Sequence, residues 1–196
     1  GRLLVADTHN HRVAIYWVDG ASGTLVGEIR GPINKPEGVE AARDRTVLVT
    51  SASRQTVMKF SDGELLAEAG GAGDGPGRYA SPHDIEMGPD GDIVVADTKN
   101  NRLQVLDSSL GFRRSLGPPA FPFRTPKFFS IDDRGWIYLA DEVSDGVIVL
   151  DQDRTVRGFV AAGELNNPEG IVVSGEFMWI ADTGNNRIVK YPRVIE

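Results

Sequence analysis

Residues 81–107 read SPHDIEMGPDGDIVVADTKNNRLQVLD, three short strands separated by two turns. From Pro82 onward apolar residues alternate through Ile85 and Met87, the period-two pattern of a half-buried strand. Pro89-Asp90-Gly91 supplies turn chemistry, because proline presets φ and glycine adopts positive φ without steric cost. Ile93-Val94-Val95-Ala96 then makes a strand closing on Asp97. Asn100-Asn101 marks a second turn, since asparagine tolerates the left-handed region, and Leu103, Val105 and Leu106 make a third strand.

The same grammar recurs as LLVADTHNHRVAIY around Asp7, VLVTSASRQTVMKF around Ser51, IYLADEVSDGVIVL around Asp141 and MWIADTGNNRIVKY around Asp182. These landmarks, with Asp97, lie 44, 46, 44 and 41 residues apart, and the prolines at 36, 82, 126 and 168 are independently spaced by 46, 44 and 42. Two landmarks keeping one period in the forties, on short strands, predict an all-β chain of radially repeated four-stranded antiparallel blades, a β-propeller. The expected boundaries are a partial blade at 1–31 lacking its first strand, full blades at 32–71, 72–117 and 118–164, and a partial blade at 165–196 lacking its fourth strand. That makes eighteen strands in one domain, about four and a half blades. No helix-period stretch or low-complexity linker divides it.

The 196 residues are 40% hydrophobic and 25% charged, enough to bury a core. No apolar run reaches the length of a membrane helix, and no charged-then-apolar leader opens the chain. The sequence starts at Gly1 without methionine, and an extracytoplasmic location is the expectation if a leader was removed. The absence of cysteine excludes disulfides, thiolate zinc sites and a cysteine nucleophile. A net charge of −7 disfavours nucleic acid as the partner. Arg78, Lys99, Arg102 and Lys127 could form a local basic face, but Glu37, Asp74, Asp84 and Glu169 occupy matching positions and dilute it.

The repeat resembles the NHL-repeat propellers. It is carried by Pro36-Glu37-Gly38-Val39 and Pro168-Glu169-Gly170-Ile171, by Val95-Ala96-Asp97 and Ile180-Ala181-Asp182, and by Asn100-Asn101-Arg102 and Asn185-Asn186-Arg187. The resemblance covers essentially the whole chain and implies the propeller fold, within a six-bladed ring. It leaves function open, because such propellers serve as protein-binding, RNA-binding and enzymatic scaffolds. Six blades need about 260 residues, so the ring is expected to be completed by further sequence or by another chain.

The repeated Asp7, Asp97, Asp141 and Asp182, with Arg12, Arg102 and Arg187, are read as scaffold: each aspartate accepts amides of the following turn and pairs with the arginine. The blade with Ser51 and Thr56 lacks both charges together. His9 and His11 share a turn with Asp7 but lack a third fixed metal ligand, and read as exposed turn residues. No Gly-x-Ser-x-Gly elbow is present. GAGDGPG at 71–77 has no following helix and no Lys-Ser/Thr, so it reads as a flexible blade linker rather than a phosphate loop. The next linker, 118–126, replaces glycine by proline and phenylalanine. Trp17, Trp136 and Trp179 read as packing or rim residues.

In an antiparallel blade the entry to strand one and the turn between strands two and three share one end. One face therefore collects Glu37, His83, Lys127 and Glu169, the residues after the four prolines, around the mouth of the central channel. Where two blades carry Glu-Gly, the blade at Pro82 carries His83-Asp84, and Glu86 returns a carboxylate to the strand face of Asp84. A histidine beside carboxylates suits proton transfer, and the same groups could hold a divalent cation, which Lys127 would weaken. The candidate ligand-binding set is thus Glu37, His83, Asp84, Glu86, Lys127 and Glu169. The leading expectation is a non-enzymatic scaffold binding a protein partner or small ligand on this face. The alternative, implied by the resemblance, is a metal-assisted lyase or lactonase acting at the axial mouth. Ile85, Val95, Phe129 and Ile171 are expected to be buried between blades.

Overall fold

The computed structural model describes residues 1–42, 44–117 and 124–194. Eighteen strands form five antiparallel sheets of three, four, four, four and three strands. Blade 1 holds β1 (Arg2–Asp7), β2 (Arg12–Asp19) and β3 (Ser22–Ile29). Blade 2 holds β4 (Pro36–Ala41), β5 (Val47–Ser51), β6 (Thr56–Ser61) and β7 (Glu64–Gly70). Blade 3 holds β8 (Pro82–Met87), β9 (Ile93–Asp97), β10 (Arg102–Leu106) and β11 (Phe112–Leu116). Blade 4 holds β12 (Phe129–Ile131), β13 (Ile137–Asp141), β14 (Gly146–Leu150) and β15 (Val156–Val160). Blade 5 holds β16 (Pro168–Ser174), β17 (Phe177–Asp182) and β18 (Arg187–Pro192). The protein is a β-propeller of five blades, two of them three-stranded, rather than the expected four and a half. The prolines open β4, β8 and β16, but β12 starts three residues after Pro126. The 118–123 part of the proline-rich linker lies outside the described residues.

Sequence alternation becomes packing between blades. In β5, Leu48 packs towards blade 3 with Ile85, Ile93 and Leu106, while its neighbour Val49 packs towards blade 1 with Val13 and Ile29. Blade 3 then offers Val94, Ala96, Leu103 and Val105 to Phe129, Ile137, Leu139 and Ile148 of blade 4. Blade 4 offers Tyr138, Val147 and Val149 to Met178 and Ile180 of blade 5. Inner blades are covered on both faces, so β9, β13 and β14 are buried throughout and lose the alternation of a one-sided sheet. Ile85, Val95 and Phe129 are buried as expected. Ile171 is only partly buried, packed against the cluster between blades 4 and 5.

The repeated aspartate is a scaffold element, with one correction to its partners. Asp97 accepts the Arg102 Nε–H at 2.8 Å, the Asn100 amide group at 2.9 Å and the Ala80 backbone N–H at 2.7 Å. Asp182 repeats this with Arg187 at 2.6 Å, Asn185 at 2.9 Å and the Asn166 N–H at 2.7 Å. The backbone donor thus belongs to the linker before the inner strand, not to the turn that follows. Among the described residues only Asp141, whose unit has Gly146 in place of arginine, accepts a backbone amide of the following turn, from Ser144. Ser51 does the aspartate's linker work, accepting from the Asn34 N–H at 3.0 Å and donating to the Asn34 carbonyl at 2.7 Å. The turns that follow close with left-handed residues at His11, Gln55, Asn101, Asp145 and Asn186, and the residue before each repeat proline, Lys35, Ser81, Thr125 and Asn167, is left-handed too.

Candidate functional site

The inner strands β4, β8, β12 and β16 meet around the axis but do not pair as one sheet. Their channel-facing amides would be buried without partners, and side chains from the preceding blade satisfy them. Glu86 accepts from the Ile131 N–H at 2.6 Å, and Ser130 accepts from the Val173 N–H at 3.1 Å. Glu40 takes the same position and meets the Met87 amide. Each of these side chains stands four residues after its proline. Glu40 was missed in the sequence reading, although the repeat aligns it with Glu86. At the corresponding place in blade 5 stands Val172, exposed and without an acceptor.

The inner strands are unevenly spaced, and the residue two after each proline decides the spacing. Gly38 lets blades 2 and 3 approach so closely that a Cβ there would lie 2.6 Å from the His83 carbonyl oxygen. Thr50, in the same blade as Gly38, links the two: its hydroxyl accepts the Gly38 N–H at 2.8 Å and donates across the gap to the His83 carbonyl. Between blades 3 and 4 the equivalent residue is Asp84, which accepts the Phe129 N–H at 3.1 Å while its own N–H donates to the Lys127 carbonyl at 3.2 Å. A carboxylate therefore spans the place where glycine closes the neighbouring gap.

Asp84, Glu86 and Glu40 crowd one side of the channel, partly open to it yet densely surrounded by protein. Burial pushes Asp84 up to about 6 against its two amide donors. Glu86 rises to about 9 through burial and the Asp84 charge, and Glu40 to about 7 for the same two reasons. The folded chain therefore retains protons that the unfolded chain has released, across a window from about pH 4 to about pH 9. The sign follows: this contribution is fully present below the ordinary carboxylate range and is lost as the pH rises through the folded values. Asp7, held low by its bonds to Arg12 and Asn10, works oppositely and loses its contribution as the pH falls. Urea unfolding is expected to show stability declining from about pH 5 to about pH 9, and Glu86→Gln to flatten that decline. A wild-type profile that stays level or rises in this window would contradict the assignment.

At the mouth, the six predicted residues separate into four groups. Lys127 bonds Glu142 at 2.5 Å and Glu169 at 3.3 Å. It neutralises these two rather than Asp84 and Glu86, which are engaged with blade 4 amides. Glu142, directly after the Asp141 landmark, was not anticipated. Glu37 pairs with Lys35 at 3.2 Å. The His83 Nδ1 lies 3.0 Å from the Ser81 carbonyl oxygen and 3.1 Å from the Thr98 hydroxyl. Thr98 spends its own proton on the Pro126 carbonyl at 2.6 Å, so Nδ1 is the protonated nitrogen and Nε2 carries the free lone pair. Phe128 meets the imidazole edge-on, with ring centroids 6.3 Å apart. No group of three or more His, Asp or Glu is placed to hold a metal ion among the described residues, so the donor set does not fit the divalent cation considered from sequence.

Beside His83 opens a cleft of about 430 Å³ lined by Gln55, Gly73, Asp74, Ser81, Lys99 and Asn100. Its rim is the glycine-rich segment 71–77, which is pinned rather than flexible. Gly73 and Gly75 carbonyls accept from Asn100 and Arg102, and the Gly77 N–H donates to Gln104. Positive φ at Gly71, Gly73 and Gly77 is what this path requires of glycine. His9 and His11 are exposed as expected, with the His11 Nδ1 accepting the Lys35 N–H at 3.1 Å. Trp136 is buried beneath the Arg134 guanidinium, whereas Trp17 and Trp179 are exposed.

The profile described as NHL repeat matches residues 79–106 and 165–191. No curated protein matches the chain in sequence. Among solved structures it is similar to a streptogramin B lyase, with 14% identity and a TM-score of 0.71 over all of this chain and 66% of that one. Virginiamycin B lyase from Staphylococcus aureus follows, at 15% identity and a TM-score of 0.63 over all of this chain and 82% of that one. A chain of a nidogen/laminin complex gives 16% identity and a TM-score of 0.71 over 97% of this chain and 89% of that one. The chain thus spans less than two thirds of the first of these. At such identities the likeness concerns the fold. No helix among the described residues is long and apolar enough to cross a membrane.

Proposed function

We propose that this NHL-repeat propeller is a non-catalytic binding platform, part of a six-bladed ring, whose mouth face receives a protein segment or small ligand. The observation that carries this reading is how the mouth's polar groups are used. Asp84 and Glu86 satisfy backbone amides of the next blade, and Lys127 is held between Glu142 and Glu169. The cleft beside His83 then offers ordered carbonyls, Lys99 and Asn100 as a recognition surface. The nidogen/laminin structure, a propeller in complex with a protein, supports binding as a use of this fold. Chemical shift mapping with a panel of charged and apolar fragments is expected to place the responses at Glu37, His83, Lys99, Lys127 and Glu169. Responses confined to the opposite face, around Arg134 and Gln152, would overturn the reading.

One observation favours the second reading, an enzyme of the lyase or lactonase kind: the His83 tautomer leaves Nε2 free to accept a proton at the mouth. Divalent metal content separates the two. The platform is expected to carry fewer than about one ion per ten chains and to gain no thermal stability from added magnesium, calcium or manganese. A stoichiometric ion lost in the His83→Ala and Asp84→Ala variants would favour the enzyme. Stability lost in those variants with fragment binding unchanged would return both residues to the scaffold.

A further inference from the structure

The linker into blade 3 is longer than the repeat requires. Eleven residues, 71–81, join β7 to β8, where six join β3 to β4 and seven join β15 to β16. The surplus is tied down on both sides. Arg102 donates to the Gly75 and Arg78 carbonyls at 2.9 and 2.8 Å, and the Gln104 amide group donates to the Arg78 carbonyl at 2.6 Å. Within the linker, the Gly73 N–H reaches the Tyr79 carbonyl at 3.1 Å and the Tyr79 N–H reaches the Gly71 carbonyl at 3.0 Å, so its two limbs lie side by side. A departure from a regular repeat that is built and held in this way is where function is expected.

The cleft formed by this linker and the Thr98–Asn100 turn takes apolar lining from Ala72, Tyr79 and Ala80, and one charge of each sign from Asp74 and Lys99. Elsewhere around the mouth such charges are spent on one another, Lys35 on Glu37 and Lys127 on Glu142 and Glu169. Asp74 and Lys99 are exposed, and among the described residues neither side chain has an ionic or hydrogen-bonding partner. Two neutral groups of the same cleft share that state. The Ser81 hydroxyl is unpartnered, and the Asn100 amide group is fixed by its bonds to Gly73 and Asp97, which leaves its oxygen free to accept.

We infer that this cleft binds a small dipolar ligand, of the class of free amino acids and unblocked dipeptides. Its carboxylate goes to Lys99 and Ser81, its ammonium to Asp74 and Asn100, and its apolar body to Ala72, Tyr79 and Ala80. The inference rests on the platform reading and narrows its ligand. A volume of about 430 Å³ is that of a small-molecule site rather than of a protein interface. The two charges are single and opposite, so a phosphate or other polyanion drawn to Lys99 would also meet Asp74. A ligand with one charge of each sign satisfies both.

The probes are leucine and leucylleucine, each also with its amine acetylated, its carboxylate amidated, or both, titrated into the isotopically labelled full chain and followed by NMR. The unblocked forms are expected to shift the amides of Asp74, Ser81, Lys99 and Asn100, and loss of either charge to weaken binding at least about threefold. Lys99→Ala is expected to erase the advantage of the unblocked ligand over its amidated form while keeping that over its acetylated form. Asp74→Ala is expected to do the reverse. Both residues are exposed, so both variants are expected to fold as wild type, and the probe series on the unaltered protein decides without them. Equal affinity for all forms would overturn the inference, as would a cleft that stays silent at the highest soluble concentration. So would tighter binding of the blocked peptide N-acetyl-Lys-Leu-Glu-amide, which would make a protein segment the occupant. Responses at Glu37, Lys127 and Glu169 with the cleft silent would overturn it and leave the platform reading standing.

Discussion

Replacing Phe129 by alanine is expected to cost about 3 to 5 kcal/mol and to lower the melting temperature by about 6 to 20 °C. Phe129 is fully buried between blades 3 and 4, in one cluster with Val94, Ala96, Leu103 and Val105 from one side and Leu139 and Ile148 from the other. The Phe129 N–H still reaches Asp84 in the variant, so the loss reports packing rather than a broken hydrogen bond. A change below about 1 kcal/mol in urea unfolding would mean that blades 3 and 4 do not pack through this residue. Ile171→Ala at the matching position in blade 5 is expected to cost less, because part of that side chain is already in solvent.

Gly38→Ala and Gly170→Ala are expected to differ by at least about 2 kcal/mol, although the two glycines hold the same place in the repeat. A methyl group at 38 would meet the His83 carbonyl oxygen at 2.6 Å and the Asp84 Cα at 3.0 Å, both backbone atoms of β8. Relief requires the inner strands of blades 2 and 3 to separate, which breaks the bond that the Thr50 hydroxyl donates across the gap to the His83 carbonyl. At 170 the added methyl has room, and the variant is expected to melt close to wild type. Equal melting temperatures for the two variants would show that inner-strand spacing is not set at this position.

The architecture was legible because its signals are periodic and local. Pro-Asp-Gly and Asn-Asn turns, β-branched runs and the 41–46-residue interval specify eighteen strands and their grouping into sheets without reference to any distant contact. The roles of the aspartates were legible for the same reason, but their backbone partner was not. The amide of residue 80 reaches Asp97 only because the left-handed residue Ser81 turns the linker back, and a lone serine carries no such signal. The bonding partners of the mouth residues were only partly legible. Side-chain direction within a strand is set by the pleat, so Asp84 and Glu86 were rightly placed on one face. What they bond depends on where the next blade stands, and that is not written in their own strand. Glu142 escaped notice because it lies outside the repeated motif, and Glu40 because the position it shares with Glu86, four residues after the proline, was not compared between blades.

The aspartate lock has a consequence for how such an array can grow. Each lock joins a residue near the end of strand two to a linker residue 16 or 17 positions earlier, as in Ser51 with Asn34, Asp97 with Ala80 and Asp182 with Asn166. A gene duplication whose breakpoint falls upstream of the linker transfers a blade with its lock complete. A breakpoint at the proline two residues later leaves the aspartate behind a foreign linker, with a buried charge to satisfy from whatever amide arrives. The heritable module of this protein therefore begins in the loop rather than at the strand, and a recombinant array assembled from loop to loop inherits its own fastenings.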